Sequence, residues 1–216
     1  MPRTPLLRTN VFPYHVYARS NNRDWFYLPP EEVWDVFCEI LGVVTEKYGI
    51  EIHSFVMMSN HFHLLLSTPK ENLDEAMRYL LRETCRSVNR SAGRINHLFG
   101  GPYKWSVIPH GLGYAHALKY IYRNPVKAGM CARVEDYPYS SLGVPLGKEK
   151  ARFPIYPCRF DAHPLLLLPL EQRLSWLNLA YSQEEQDCVR RALRRRELKF
   201  SAHRLSKRLP LSLSAK

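Results

Sequence analysis

Between Gly49 and Pro69 the chain makes two strand-like runs, Glu51 to Met58 and His61 to Ser67, with only Ser59 and Asn60 between them. A two-residue connection permits only a tight antiparallel hairpin, so any fold of this chain must set these strands side by side. An amphipathic helix pattern flanks the hairpin on each side. Upstream, Pro29-Pro30-Glu31-Glu32 supplies the proline and acids of a first helical turn. Val33, Phe37, Ile40, Leu41, Val44 and Tyr48 then recur at spacings of three and four, and Gly49 sits where a left-handed cap belongs. Downstream, Asn72-Leu73-Asp74-Glu75 reads as a capping box, and Leu73, Met77, Leu80, Leu81, Cys85 and Val88 form one buried stripe.

A further strand lies beyond each helix. Tyr14 to Arg19 is rich in β-branched and aromatic residues, and Tyr103 to Ile108 follows a glycine-broken loop, Ser91 to Gly101. The order is strand, helix, strand, strand, helix, strand. This predicts an α+β fold of the ferredoxin-like split β-α-β kind, an antiparallel sheet with helices on one face. A third helix over about Tyr114 to Arg123 should end at Asn124-Pro125, because a residue before proline is biased out of the α conformation. The second face of the sheet must then be covered, or used.

Past Ser140-Ser141 the pattern changes, which divides the chain into a domain over 1–145 and an extension over 146–216. Pro145, Gly147, Pro154, Pro157, Pro164 and Pro169 punctuate a wrapping arm with little periodicity. Ser182-Gln183-Glu184-Glu185 is a second capping box and opens a helix near 183–200 whose exposed side carries Arg190, Arg191, Arg194, Arg195 and Arg196. Residues 1–145 hold 16 basic and 13 acidic side chains, a net of +3, whereas residues 146–216 hold 15 and 7, a net of +8. That excess points to a polyanionic partner, nucleic acid first. No apolar run approaches the ~18–20 residues of a membrane span. The five cysteines are odd in number and form no C-x-x-C pair, which fits a reducing, cytoplasmic setting.

Two patterns carry chemistry. In His61-Phe62-His63, strand alternation sends both imidazoles to one face and Phe62, Leu64 and Leu66 to the other. Two imidazoles about 7 Å apart along a strand can converge on a divalent ion; two histidines merely packed over a sheet read the same way. Tyr120 and Asn124 lie four apart on the third helix, with His116 on the same face. A phenol can act as nucleophile and an amide oxygen can complete a metal shell, although an Asn before Pro is also an ordinary helix terminator. Arg78, Arg82, Arg86 and Arg90 make a basic ridge on the second helix, fit for phosphates or simply for solvent. Tyr103 and Trp105 could stack on bases or sit in the core.

Taken together, Val56-Met57-Met58-Ser59-Asn60-His61-Phe62-His63-Leu64-Leu65-Leu66 and Tyr120-Ile121-Tyr122-Arg123-Asn124-Pro125-Val126-Lys127-Ala128-Gly129 resemble the single-tyrosine HUH transposases, in particular the REP-associated tyrosine transposase branch of the IS200-like group. Tyr14-His15-Val16 and Pro138-Tyr139-Ser140-Ser141 are similar too, so the resemblance spans about 10–145. It implies a metal-dependent single-strand DNA endonuclease and strand transferase. Tyr120 would be the nucleophile, forming a 5′-phosphotyrosine link, and His61, His63 and Asn124 would hold Mg²⁺ or Mn²⁺. It implies single-stranded and hairpin DNA as partners of a monomer or homodimer. The expected DNA-binding residues are Arg19, Arg23, Arg78, Arg82, Arg86, Lys104, Lys127, Arg191, Arg194 and Arg195. Relatives often have Met-Pro-Asn-His and Gly-Arg-Tyr-Lys where this chain has Met58-Ser59-Asn60-His61 and Gly101-Pro102-Tyr103-Lys104. The alternatives are a catalytically silent relative that binds structured nucleic acid, a replication- or relaxase-type nicking enzyme, and a plain RNA-binding sheet.

Overall fold

The computed structural model describes residues 5–148, 152–157 and 164–199. The domain runs β1 (Tyr14–Arg19), α1 (Pro30–Tyr48), β2 (Glu51–Met57), β3 (His61–Ser67), α2 (Leu73–Ser91), β4 (Lys104–Val107) and α3 (Leu112–Lys127). Three short helices follow: α4 (Pro164–Leu167), α5 (Leu170–Asn178) and α6 (Gln183–Ala192). Strand order is β2-β3-β1-β4 with every neighbouring pair antiparallel. This is the expected split β-α-β sheet. The hairpin closes as the two-residue spacing requires, with Met58 N–H bonded to the His61 carbonyl at 2.8 Å.

Alternation sorts β1 and β3, and a bulge between Ile52 and Ser54 resets it in β2. Tyr14, Val16 and Ala18 of β1, Ile52, Phe55 and Met57 of β2, and Phe62, Leu64 and Leu66 of β3 all face α1 and α2 in one apolar core. Phe37, Leu41 and Val44 of α1 meet Leu73, Met77 and Leu80 of α2 there. Fully burying such a side chain contributes about 1.5–3 kcal/mol, so this layer holds the sheet against its helices. Gly49, at φ 66°, ends α1 as its position predicts. Asn72 does not close a capping box. Its side-chain NH₂ donates to the Tyr48 carbonyl at 2.9 Å, tying the start of α2 to the end of α1 instead.

The second face is covered by α3 and by the extension. Val56, Met58 and Leu65 pack with Tyr114, Ala117 and Ile121 of α3, Trp176 and Leu177 of α5, and Val189, Ala192 and Leu193 of α6 and its end. Residues 164–199 are therefore more structured than a wrapping arm, since Trp176 and Leu177 of α5 are buried in the core that α3 shares. Two expected helix ends move. Helix α3 continues through Pro125 to Lys127. Beyond the proline the carbonyls of Asn124 and Pro125 accept from Ala128 N–H at 3.0 Å and Met130 N–H at 3.0 Å, which closes the end of the helix. Helix α6 ends at Ala192, before the expected end near Phe200. The chain then turns and binds the β4 edge, with Val107 N–H donating to the Arg196 carbonyl and Leu198 N–H to the Val107 carbonyl, both at 2.8 Å. Phe200 itself lies outside the described residues. Among the described residues no helix is long and apolar enough to cross a membrane.

Candidate active site

The sheet register builds the site. Pairing of β1 with β3 sets Arg19 opposite His61 and Tyr17 opposite His63, and pairing with β4 sets Tyr17 opposite Lys104 and His15 opposite Ser106. By alternation these residues all project from the face under α3, away from the apolar core. The rings of His61 and His63 stand 5.1 Å apart, nearly perpendicular at 84°. The ring of Tyr120 comes down from α3 edge-on, 5.7 Å from His63 and 6.1 Å from His15. The nucleophile candidate and the imidazole pair are thus brought together from distant parts of the chain.

The hydrogen-bond network decides which imidazole nitrogens remain free. Asn60 donates its NH₂ to the Arg23 carbonyl at 2.7 Å, which turns its Oδ1 toward His61 Nδ1, also at 2.7 Å. His61 Nδ1 therefore carries and donates a proton, and its Nε2 keeps a free lone pair. His63 Nδ1 lies 2.9 Å from His15 Nε2 in a nearly stacked pair of rings. When His63 Nδ1–H donates to His15, the Nε2 of His63 is also left basic, and the proton of His15 sits on an Nδ1 that has no protein partner. Burial pushes His15 down to about 3, and burial with the nearby Arg19 pushes His61 down to about 4. Burial and then the imidazoles of His15 and His61 hold His63 well below its ordinary value. All three are neutral near pH 7, the form that binds a metal.

Asn124 lies on α3 one turn from Tyr120. Its NH₂ donates to the Tyr120 carbonyl at 2.8 Å, which leaves Oδ1 as the outward end. Two imidazole nitrogens and one amide oxygen suit a divalent ion whose remaining ligands are water and phosphate oxygens. Among the described residues no trio of His, Cys, Asp or Glu is grouped to hold a metal, so a carboxylate-rich site is not the arrangement here. Burial and then Tyr17 raise the phenol of Tyr120, whereas Arg194, Arg190 and Arg19 pull it back down.

The basic residues divide. Arg19 is exposed on the site face beside His61, and Lys104 lies across from Tyr17. Arg23 lies near the hairpin and supports the site through its carbonyl. Lys127 is exposed at the end of α3, and Arg191, Arg194 and Arg195 are exposed on and just after α6. Arg78, Arg82 and Arg86 sit on α2, across the sheet from Tyr120. His116 does not join the site. Its Nδ1 lies 2.8 Å from the Tyr181 hydroxyl and its ring packs 6.2 Å from Trp176. Tyr103 and Trp105 pack against the apolar core rather than standing free for bases, whereas Trp25 is 74% accessible and Phe12 37%. The supporting roles of His15 and Asn60 do not follow from the sequence patterns alone. The available signal for His15 is alternation, since it shares the parity of Tyr17 and Arg19.

Residues 9–108 match the model of the family described as "Transposase IS200 like", a segment that contains His61-Phe62-His63 and stops before α3. Over 93 residues the chain is 32% identical to the REP-associated tyrosine transposase of Escherichia coli, which is 43% of this chain and 54% of that protein. Over 108 residues it is 32% identical to a protein of Haemophilus influenzae named for the same group, which is 45% of this chain and 61% of that one. The chain thus spans somewhat over half the length of these curated relatives. A solved REP-associated tyrosine transposase, bound to a REP hairpin, superposes with a TM-score of 0.56 at 19% identity, covering 76% of this chain and 97% of that one. Residues 9–108 are thus similar to the IS200-like transposase family, and the chain shares the fold of a solved REP-associated tyrosine transposase.

Proposed function

We propose that the protein is a metal-dependent single-strand DNA endonuclease and strand transferase that works through a 5′-phosphotyrosine intermediate on hairpin-flanked DNA. One observation carries this reading: Tyr120 is set against His63 and His15, and Asn60 holds His61 in the tautomer whose Nε2 is free. The solved relative bound to a REP hairpin supports hairpin DNA as the partner class.

His61, His63 and Asn124 would hold Mg²⁺ or Mn²⁺, which when bound offsets charge on the phosphate and orients it for in-line displacement. Tyr120 Oη attacks phosphorus and the bond to the 3′ oxygen breaks. The leaving oxygen gains a proton to become a free 3′-OH, and the 5′ phosphate stays on Tyr120. Attack by another 3′-OH reverses the step and joins strands without a nucleotide cofactor, because the phosphotyrosine keeps the energy of the original diester. His15 and Asn60 act by orientation, holding the two imidazoles in the tautomers that expose Nε2.

The test is covalent trapping on labelled single-stranded and hairpin oligonucleotides with Mg²⁺, Mn²⁺ or EDTA, beside Tyr120→Phe. A metal-dependent, protein-sized adduct that disappears in Tyr120→Phe is expected. An adduct that persists in that variant moves the nucleophile elsewhere. Tight binding with no adduct on any substrate leaves the silent hairpin-binding relative as the better reading.

A further inference from the structure

Of the four non-glycine residues at positive φ among the described residues, three lie in the loop between β1 and α1: Asn22 at 53°, Arg23 at 64° and Tyr27 at 36°. Such angles cost energy, most of all for a bulky side chain, and persist only where the surroundings over-determine them. Here they do. Asn21 N–H donates to the Leu98 carbonyl at 2.8 Å, and Phe26 N–H donates to the Ser59 carbonyl at 3.1 Å. The Tyr27 hydroxyl donates to Asp24 Oδ2 at 2.8 Å, and the Arg94 guanidinium lies 3.4 Å from the centre of the Tyr27 ring. Phe26 is buried in the apolar core, edge-on to Phe37 and Phe99.

Amid these anchors one large side chain is turned out. Trp25 is 74% accessible although Phe26, the next residue, is buried. A scattered exposed apolar side chain needs no explanation. One held out by a strained and bonded loop at the mouth of a cleft is a different matter. That cleft is lined by Trp25, Met58, Ser59, Met130 and Tyr137 among others, and it has a volume of about 60 Å³. It is too shallow to enclose a nucleobase, so a base would lie across its mouth with one face on the indole.

The cleft is continuous with the candidate active site on two sides. On one, Ser59 leads into Asn60, whose NH₂ donates to the Arg23 carbonyl at 2.7 Å and whose Oδ1 accepts from His61 Nδ1. The loop that presents Trp25 therefore also holds the residue that orients His61. On the other side, Met130 N–H donates to the Pro125 carbonyl at 3.0 Å. This fixes the exposed Met130 just past the end of α3, the helix that carries Tyr120 and Asn124. Arg19 and Arg23 are exposed on the approach to Trp25 and supply the positive charge that a phosphate backbone needs. An indole stacks on the face of any base, and a thioether adapts to the ring beside it.

We propose that Trp25 and Met130 form a stacking site for an unpaired base of the DNA strand engaged at His61 and Tyr120. The inference rests on single-stranded DNA being the substrate. It adds the place where a base of that strand, rather than a phosphate, is held.

The experiment measures binding by the full chain in EDTA on a Tyr120→Phe background, so that neither metal nor nucleophile enters. The probes are oligo(dT) of about 12 nucleotides, a length such sites cover, an abasic strand of the same length, and a blunt duplex. The variants are Trp25→Ala, Trp25→Phe and, as control, Phe12→Ala at the other end of β1, each checked for an unchanged melting curve. Trp25→Ala should bind oligo(dT) about 10- to 100-fold more weakly, the range for losing a stacked base. Its binding to the abasic strand and to the duplex should not change. Trp25→Phe should recover part of the loss, and Phe12→Ala should match the parent protein. Oligo(dT) should also quench tryptophan emission in the parent and not in Trp25→Phe, because Trp34, Trp105 and Trp176 are buried or half-buried. A Trp25→Ala variant that binds oligo(dT) like the parent, or that weakens on all three probes alike, overturns the stacking site while the trapping result on Tyr120 stands. A parent protein that binds none of the probes removes the DNA reading itself, and the stacking site with it.

Discussion

The two faces of the sheet are made from alternate residues of the same strands, yet they differ in kind. Toward α1 and α2, Tyr14, Val16, Ala18, Ile52, Phe55, Met57, Phe62, Leu64 and Leu66 pack as one apolar layer. Toward α3 the same strands offer His15, Tyr17, Arg19, His53, His61 and His63. The strand atoms that are buried without a protein partner, His15 Nδ1, Ser54 Oγ and Ser106 Oγ, are on this second face as well. Buried polar groups without partners cost stability, so the apolar face must supply enough to hold them in place. One face specifies the fold, and it leaves the other free to carry chemistry.

The sharpest way to break this contrast uses neighbours on one strand. Phe62→Ala removes a fully buried ring from the apolar layer and should cost about 3–5 kcal/mol in denaturant unfolding. His63→Ala, one residue on, removes a buried neutral imidazole and should cost less than about half as much. Its effect should fall instead on Mn²⁺ affinity and on cleavage, both of which should vanish. Equal destabilisation by the two variants would mean that the second face also holds the fold.

Acid should separate the faces next. His15 is held at about 3 and His53 at about 4, both chiefly by burial, against 6.5 for a free imidazole. Below pH 6.5 the unfolded chain takes up protons that these folded imidazoles refuse, so stability is fully present above pH 6.5 and falls as pH drops toward 4. Each such histidine contributes a slope of about 1.4 kcal/mol per pH unit. His53 is suited to the test because it lies outside the donor set, bonded to the Tyr156 carbonyl at 2.9 Å and Ser67 Oγ at 2.8 Å. In EDTA, His53→Gln should flatten the pH dependence of unfolding between pH 6.5 and 4.5 by about one proton. Hydrogen exchange at pH 5 should open α3 before α1. A variant with the wild-type slope would remove His53 from the account.

How much of this is legible in the sequence depends on whether a feature is local. The hairpin, β1 and the apolar helix faces are readable because period-two and period-three-to-four patterns record burial directly. His61, His63 and Tyr120 are readable as candidates, but their meeting depends on β1 lying between β3 and β4, and only the fold reveals that. His15 stands within a recognisable motif without a visible role, since its use lies in a 2.9 Å bond to a residue forty-eight positions away. The end of α3 is misplaced by the sequence rule because the bias before proline is a local preference, and the helix runs on through Pro125 to Lys127. The α5 stripe is hidden among prolines. The place of α6 is hidden because the residues that seat it, Val189, Ala192 and Leu193, are few and stand within an arginine run.

The smallest expected effect comes from the basic ridge on α2, and it asks whether the fold-specifying face has any part in binding. Arg82 and Arg86 share Glu83, at 2.7 and 3.4 Å, so the ridge Arg78-Arg82-Arg86 contributes less net charge than three arginines suggest. It also lies across the sheet from Tyr120. A short single strand engaged at the active site should not reach it, whereas a long hairpin stem wrapping the domain would. Arg78→Gln/Arg82→Gln/Arg86→Gln should therefore leave affinity for a short single strand within about threefold. For a long-stem hairpin it should lower the salt dependence of binding by about one unit in log K against log salt for each phosphate that the variant no longer neutralises. Equal weakening on both substrates would place the cleaved strand on the α2 side and erase the division between the faces. With no weakening on either, α2 is a solvated wall, and recognition belongs wholly to the face that also carries the chemistry.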